Sequence, residues 1–310
     1  MDYGILTEPQ FGGTFADQVR LARWCEANDI AVFGRSDHYL FLGRSHHATD
    51  AFASLAGLAV ATSTVTLAAM VSPISFRHPA VIAKMAATID EMSGGRLLLG
   101  VGTGWMQEEH DAFGMELWPM RERFARLEEA LQFLRAAFTP GAQGFTGRYY
   151  TLADVEVLPV PRGVEIMVGG GGDRKTPTLA GRYADEYNQF VDGHEALAAR
   201  FEVFRAAARE AGRDPDSIRV SVVSQAIMGD DAAGYRERLA AEASLRSITV
   251  DVYEQRLERR AVLRGTPEQI HDQAAALAAL GISRIYIQDV DPLGEIDTAR
   301  LERAFAAVRG

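Results

Sequence analysis

Cysteine is almost absent: Cys25 is the only one in 310 residues. One thiol can neither close an internal disulfide nor build a multi-cysteine metal site, which fits a reducing cytosol and leaves Cys25 a packing residue. Positive charge is also short, with 32 Lys plus Arg against 42 Asp plus Glu and a formal net charge of −10. A surface of that sign repels phosphate backbones and anionic bilayers, so neither nucleic acid nor membrane is an expected partner. From Met1 to Leu6 no basic stretch leads into an apolar one, so no secretory signal is readable and a cytoplasmic location is expected. Between Ala51 and Phe76 charge disappears altogether, but Thr62, Ser63 and Thr64 interrupt the stretch and its period changes across them. It reads as a buried helix, a polar turn and a buried strand rather than a membrane span. No internal repeat or low-complexity tract is present, and 47% hydrophobic with 24% charged residues is the composition of a folded globular chain.

What is there is an alternation of short apolar runs with longer helical patterns, the signature of βαβ units on a parallel sheet. Eight strand runs fall at 3–6, 31–35, 65–71, 96–101, 165–168, 186–190, 219–227 and 284–288. Helical patterns lie near 14–28, 51–62, 79–92, 121–138, 175–183, 194–211, 267–280 and 297–308. Eight strand–helix units predict an α/β fold, a (β/α)8 TIM barrel in one domain spanning 1–310. Thr266, Pro267 and Gln269 supply an N-cap, a first-turn proline and a reciprocal capping partner, Gly281 a helix stop, and Asp297 another N-cap. The intervals 139–162 and 229–263 exceed a minimal barrel and are expected as loop-face insertions. The first suggests a small hairpin or extended excursion, the second a helical lid or a solvated decoration.

Barrel chemistry sits just after the strands. The second run ends in Asp37-His38, an imidazole that titrates near neutrality beside a carboxylate that biases its protonation, and so a candidate proton-transfer pair. The third contains Ala68-Ala69 before Met70, two small residues that would admit a flat ligand or simply fit a tight barrel core, while His78 before Pro79 reads as a cap or packing residue. The fourth delivers Gly102-Thr103-Gly104-Trp105 followed by Glu108 and Glu109. The fifth ends in Gly169, Gly170, Gly171 and Gly172, then Arg174 and Lys175 at a helix start. Free backbone N–H groups, a helix dipole and two cations make that segment a phosphate cradle in preference to a flexible turn. Seven histidines, His46 and His47 among them, show no ligand spacing, so no catalytic metal is expected.

Together these segments resemble the luciferase-like monooxygenase superfamily, in particular its coenzyme F420 (deazaflavin)-dependent oxidoreductases. The carriers are Ser36-Asp37-His38, Phe76-Arg77-His78-Pro79-Ala80, Ile89 to Arg96, Gly100 to Trp105, Gly169 to Gly172, Ala184-Asp185 and Ala211 to Pro215. The resemblance implies a luciferase-like barrel with cofactor at the strand carboxyl ends. It implies His38 as the residue acting on substrate with Asp37 near the cofactor ring; Glu108 is carried as a further catalytic candidate, with Glu109 the other acid able to handle the proton. For the cofactor it implies Asp37, Ala69, Met70, Gly102, Thr103, Gly104, Gly169 to Gly172, Arg174 and Lys175, with a cis peptide between Ala69 and Met70. Trp105 stands where the superfamily's sugar-phosphate dehydrogenases carry a glutamate, and no lysine lies in 191–200, so that activity is not implied. The expected activity is hydride transfer between deazaflavin and a small organic substrate, an alcohol/carbonyl pair or an activated alkene, by a homodimer. The alternatives are an FMN-dependent monooxygenase served by a separate flavin reductase, and a flavin-binding protein without turnover.

Overall fold

Parallel strands covered on both faces read as unbroken apolar runs. Those runs are the staves of the computed structural model, which describes residues 1–41, 47–141 and 144–310. The chain begins with β1 (Asp2–Thr7), α1 (Phe15–Ala27), β2 (Val32–Arg35), α2 (Ala51–Ala61), β3 (Thr66–Pro73), α3 (Pro79–Ser93) and β4 (Leu97–Gly102). A short α4 (Gln107–Ala112) and a long α5 (Met120–Phe138) precede a hairpin of β5 (Phe145–Thr146) and β6 (Thr151–Leu152). Then come β7 (Glu165–Gly169), α6 (Lys175–Tyr183), β8 (Glu186–Phe190), α7 (His194–Glu210) and β9 (Arg219–Ser224). The remainder is β10 (Ala226–Met228), α8 (Ala232–Leu245), α9 (Val250–Arg259), β11 (Leu263–Gly265), α10 (Pro267–Ala279), β12 (Arg284–Asp289) and α11 (Thr298–Arg309).

Strands β1, β2, β3, β4, β7, β8, β9 and β12 pair in parallel in that order, and β12 closes on β1 from Asp2↔Arg284 to Thr7↔Asp289. This is the predicted closed eight-stranded barrel with surrounding helices. Alternation along each stave separates two apolar layers. Leu6, Val32, Ala68, Leu98, Met167 and Val223 fill the interior, while Ile5, Phe33, Leu67, Leu99 and Ile166 face the helices. Helix ends are chemically marked: Thr14 and Asp17 form a reciprocal box on α1, Thr266 and Gln269 another on α10, and the Asp297 carboxylate accepts from two amides of α11. His78 caps α3, its Nδ1 accepting the Ala80 N–H at 3.1 Å, and Cys25 is buried in the core. Among the described residues no helix is long and apolar enough to cross a membrane.

Two details depart from the sequence reading. The run 219–227 is two strands, because the Ser224 hydroxyl accepts the Leu263 N–H at 3.0 Å and the chain turns there, sending β10 to pair with β11 outside the barrel. The cis peptide lies between Met70 and Val71, not between Ala69 and Met70. The β3–β4 ladder is regular up to Ala69↔Leu99 and resumes at Ser72↔Val101, so β3 absorbs one extra residue at Met70 and Val71. The interval 229–263 holds α8 and α9, and 139–162 the β5–β6 hairpin, of which 142–143 lie outside the described residues.

Candidate active site

The carboxyl ends of the staves surround a cavity of about 560 Å3, within the range of about 300–1,000 Å3 usual for small-molecule sites. His38, delivered by β2, and Glu109, on the first turn of α4, both line it. His38 Nδ1 lies 3.0 Å from Glu109 Oε2, and the other carboxylate oxygen accepts the N–H groups of Tyr39 at 2.5 Å and Leu40 at 3.1 Å. A carboxylate can only accept, so the imidazole hydrogen sits on Nδ1 and Nε2 is the nitrogen left for substrate. Burial by itself would depress the His38 pKa. The Glu109 hydrogen bond and charge, with Glu8 and Asp37 behind them, outweigh it and hold the pKa above the ordinary 6.5. The Trp105 ring meets the imidazole edge-on at 5.8 Å.

Glu108 does not line the cavity. One residue along a helix turns a side chain by about 100°, so the pair 108–109 divides between solvent and cavity, and Glu108 is the exposed member. Asp37 does line the cavity, but its carboxylate is clamped by Arg77, Nη1 to Oδ2 at 2.5 Å and Nη2 to Oδ1 at 3.3 Å. Arg77 also reaches Asp50 at 2.5 Å and lies 4.9 Å over the Phe52 ring. Burial drives the neighbouring Arg35 down to a pKa of about 10, and its guanidinium is spent on Thr49 and Asp50 backbone and side-chain oxygens. Arg35 and Arg77 thus fix the chain that presents Asp37 and His38.

The glycines divide into two groups. At Gly169 a Cβ would fall 2.7 Å from Val71 Cγ1, and at Gly102 2.8 Å from Val71 Cγ2, so both are glycine to admit the Val71 side chain. Gly170 has φ +151°, and at Gly171 a Cβ would meet nothing within 4 Å. These two line the cavity with free backbone approach, the geometry a phosphate cradle needs. Thr103, Gly104 and Met70 line it as well, whereas Ala69, Gly172, Arg174 and Lys175 do not. Lys175 Nζ instead lies 5.1 Å over the Phe124 ring, and Arg174 is exposed.

Strand ends left aside in the sequence reading supply the rest. Glu8, following β1, is buried and held by the amides of Gln10 at 2.7 Å and Gln288 at 2.6 Å, and Ser36 donates to Gln10 at 2.9 Å. Gln189 of β8 lines the cavity with its Oε1 taken by Arg200 at 3.1 Å and its buried Nε2 without a partner. An unpaired amide donor beside open glycine backbone matches a flat ring rich in acceptors with a phosphate tail, so the residues present fit a flavin-type cofactor. The signal for Glu8 was its place directly after a strand. Among the described residues no cluster of His, Cys, Asp and Glu could hold a metal ion, and His46 lies outside them.

Comparison with known proteins agrees on the fold. The family model described as luciferase-like monooxygenase matches residues 1–284. A pyrimidine monooxygenase, RutA of Allorhizobium ampelinum, is 33% identical over 189 residues, 57% of this chain and 50% of that protein. The chain thus spans about half the length of this relative. The monooxygenase RslO1 from Streptomyces bottropensis superposes with a TM-score of 0.81 at 23% identity, covering 99% of this chain and 98% of the other. An F420-dependent secondary alcohol dehydrogenase superposes with the same TM-score, 0.81, at 21% identity over 100% and 99% of the two chains.

Proposed function

We propose, from the premise that the chain belongs to the luciferase-like monooxygenase family, that it is an oxidoreductase binding a flavin-type cofactor in this cavity and acting on a small organic molecule. The observation that carries this reading is the His38–Glu109 pair at 3.0 Å, set in the same cavity as the open backbone of Gly170 and Gly171. Gly170 and Gly171 would hold the cofactor phosphate, Gln189 Nε2 would donate to the ring, and Met70 and Val71 would support its face. Reduced flavin supplies activated dioxygen for insertion into substrate, whereas deazaflavin exchanges hydride. His38, protonated on Nδ1 against Glu109, presents Nε2 to accept or return the proton of the reacting substrate group. Trp105 and Phe190, both exposed at the rim, would exclude water once substrate is seated.

The oxygenating, FMN-dependent reading is the better supported of the two, since the named relative at 33% identity is a pyrimidine monooxygenase. It brings a flavin reductase as partner. The deazaflavin hydride-transfer reading is favoured by one feature, the acid-backed imidazole, because a carbinol that loses hydride must also lose its hydroxyl proton. Turnover of candidate substrates is compared in air with reduced FMN and under argon with deazaflavin. Oxygen consumption matched to product supports oxygenation. Anaerobic turnover with deazaflavin alone overturns it in favour of hydride transfer.

A further inference from the structure

The segment between β10 and β11 carries a second cavity of about 550 Å3, lined by Gln225, Arg246, Tyr253, Arg256, Arg259 and Arg260 together with apolar residues. Gln225 and Arg246 also line the active-site cavity, so the two spaces share a wall. The four arginines come from two helices: Arg246 ends α8, Arg256 and Arg259 lie on the last turn of α9, and Arg260 follows it. Among the described residues no acid lines this annex. Two carboxylates of α9 are engaged elsewhere, Glu258 with Arg264 at 3.4 Å and Glu254 with the Tyr235 hydroxyl at 3.4 Å. Arg246 is paired with Glu242, while Arg256, Arg259 and Arg260 have no acidic partner among the described residues. Tyr253 is 4% exposed, lies under the Arg246 guanidinium at 4.8 Å, and its hydroxyl has no hydrogen-bond partner.

Cations at a helix carboxyl end interact favourably with the helix dipole, and that accounts for Arg256 and Arg259 taken alone. It does not account for arginines of two helices facing one space without an acid, in a chain of net charge −10. Guanidinium groups in that arrangement match planar, multidentate oxyanions. We propose that the annex is an anion-binding subsite for a carboxylate or phosphate at the outer end of the substrate, whose reacting end lies in the active-site cavity. The substrate class is then an organic acid or phosphate ester with an apolar middle, which meets Trp105 and Phe190 at the rim. The proposal rests on the functional reading above for the reacting end, and its test separates the two.

Inorganic pyrophosphate and, separately, FMN are titrated calorimetrically into the purified chain and into an Arg256→Gln/Arg260→Gln variant, whose altered side chains are exposed and leave the core intact. Pyrophosphate is expected to bind saturably, with affinity falling as salt rises and about tenfold weaker in the variant, while FMN affinity stays unchanged. Absence of saturable binding, or equal binding in both proteins, overturns the subsite. Joint loss of pyrophosphate and FMN binding in the variant also overturns it, since the arginines would then belong to the cofactor. Arginine-dependent pyrophosphate binding without any FMN binding leaves the subsite standing and removes the FMN-dependent reading of the active-site cavity instead.

Discussion

Glu109 does two things to His38, because the carboxylate that orients the imidazole also raises its proton affinity. Substituting Glu109→Gln removes the charge and leaves burial opposed only by the more distant Glu8 and Asp37, so the His38 pKa falls and the pH dependence of turnover moves to lower pH. The same change has a stability signature. A folded-state pKa raised above 6.5 contributes stability that is complete below pH 6.5 and fades as pH rises through the raised value. Melting curves should show wild type losing its margin over the glutamine variant along that range, and a pH-independent margin would contradict the coupling. His38→Ala is expected to lower turnover about 10²–10⁴-fold while retaining cofactor affinity, read by steady-state kinetics beside a binding titration. Arg77 is structural: its side chain is 9% exposed against 0% for Asp37, and Arg77→Ala strands a buried carboxylate. The expected loss is about 3–5 kcal/mol in denaturant unfolding.

At the scale of elements, the meeting of β3, β4 and β7 explains why three glycines recur on two neighbouring strands. Val71 points into the space that Gly100, Gly102 and Gly169 leave open. Gly169→Ala sets a methyl 2.7 Å from Val71 Cγ1, a side-chain collision expected to cost about 1–3 kcal/mol and to be relieved by Val71→Ala. Gly100→Ala sets one 2.1 Å from the Ala69 carbonyl oxygen, which is main chain, so Val71→Ala should not rescue it. A double-mutant cycle measures the contrast, and equal rescue at both positions would refute it. This geometry was hidden in the sequence, where Gly100-Val101-Gly102 reads equally well as an anion loop. So was the distinction between Glu108 and Glu109, because α4 has 6 residues and too short a period to say which faces inward. β10 escaped notice for a related reason, continuing the apolar run of β9 with only Gln225 between them.

Across the whole molecule, the barrel was legible because the staves are largely buried on both faces and several connecting helices carry their own start or stop chemistry, as at Thr266 and Asp297. Side-chain partnerships between distant segments were not. Arg77 meets Asp37 across 40 residues and Glu109 meets His38 across 71, and no local pattern encodes either. The glycine wall of the cavity was legible in outline, from four consecutive glycines, but Arg174 and Lys175 beyond them do not line the cavity. The central claim, that this cavity receives a flavin-type cofactor at Gly170 and Gly171, is tested most directly by fluorescence titration of FMN and of deazaflavin into wild type and Gly171→Leu. Open space at Gly171 lets the variant fold while its side chain fills the backbone approach. Saturable binding of at least one cofactor by wild type, weakened about tenfold or more by Gly171→Leu, is the predicted result. Failure of both to bind wild type, or an affinity that the leucine leaves unchanged, would contradict it.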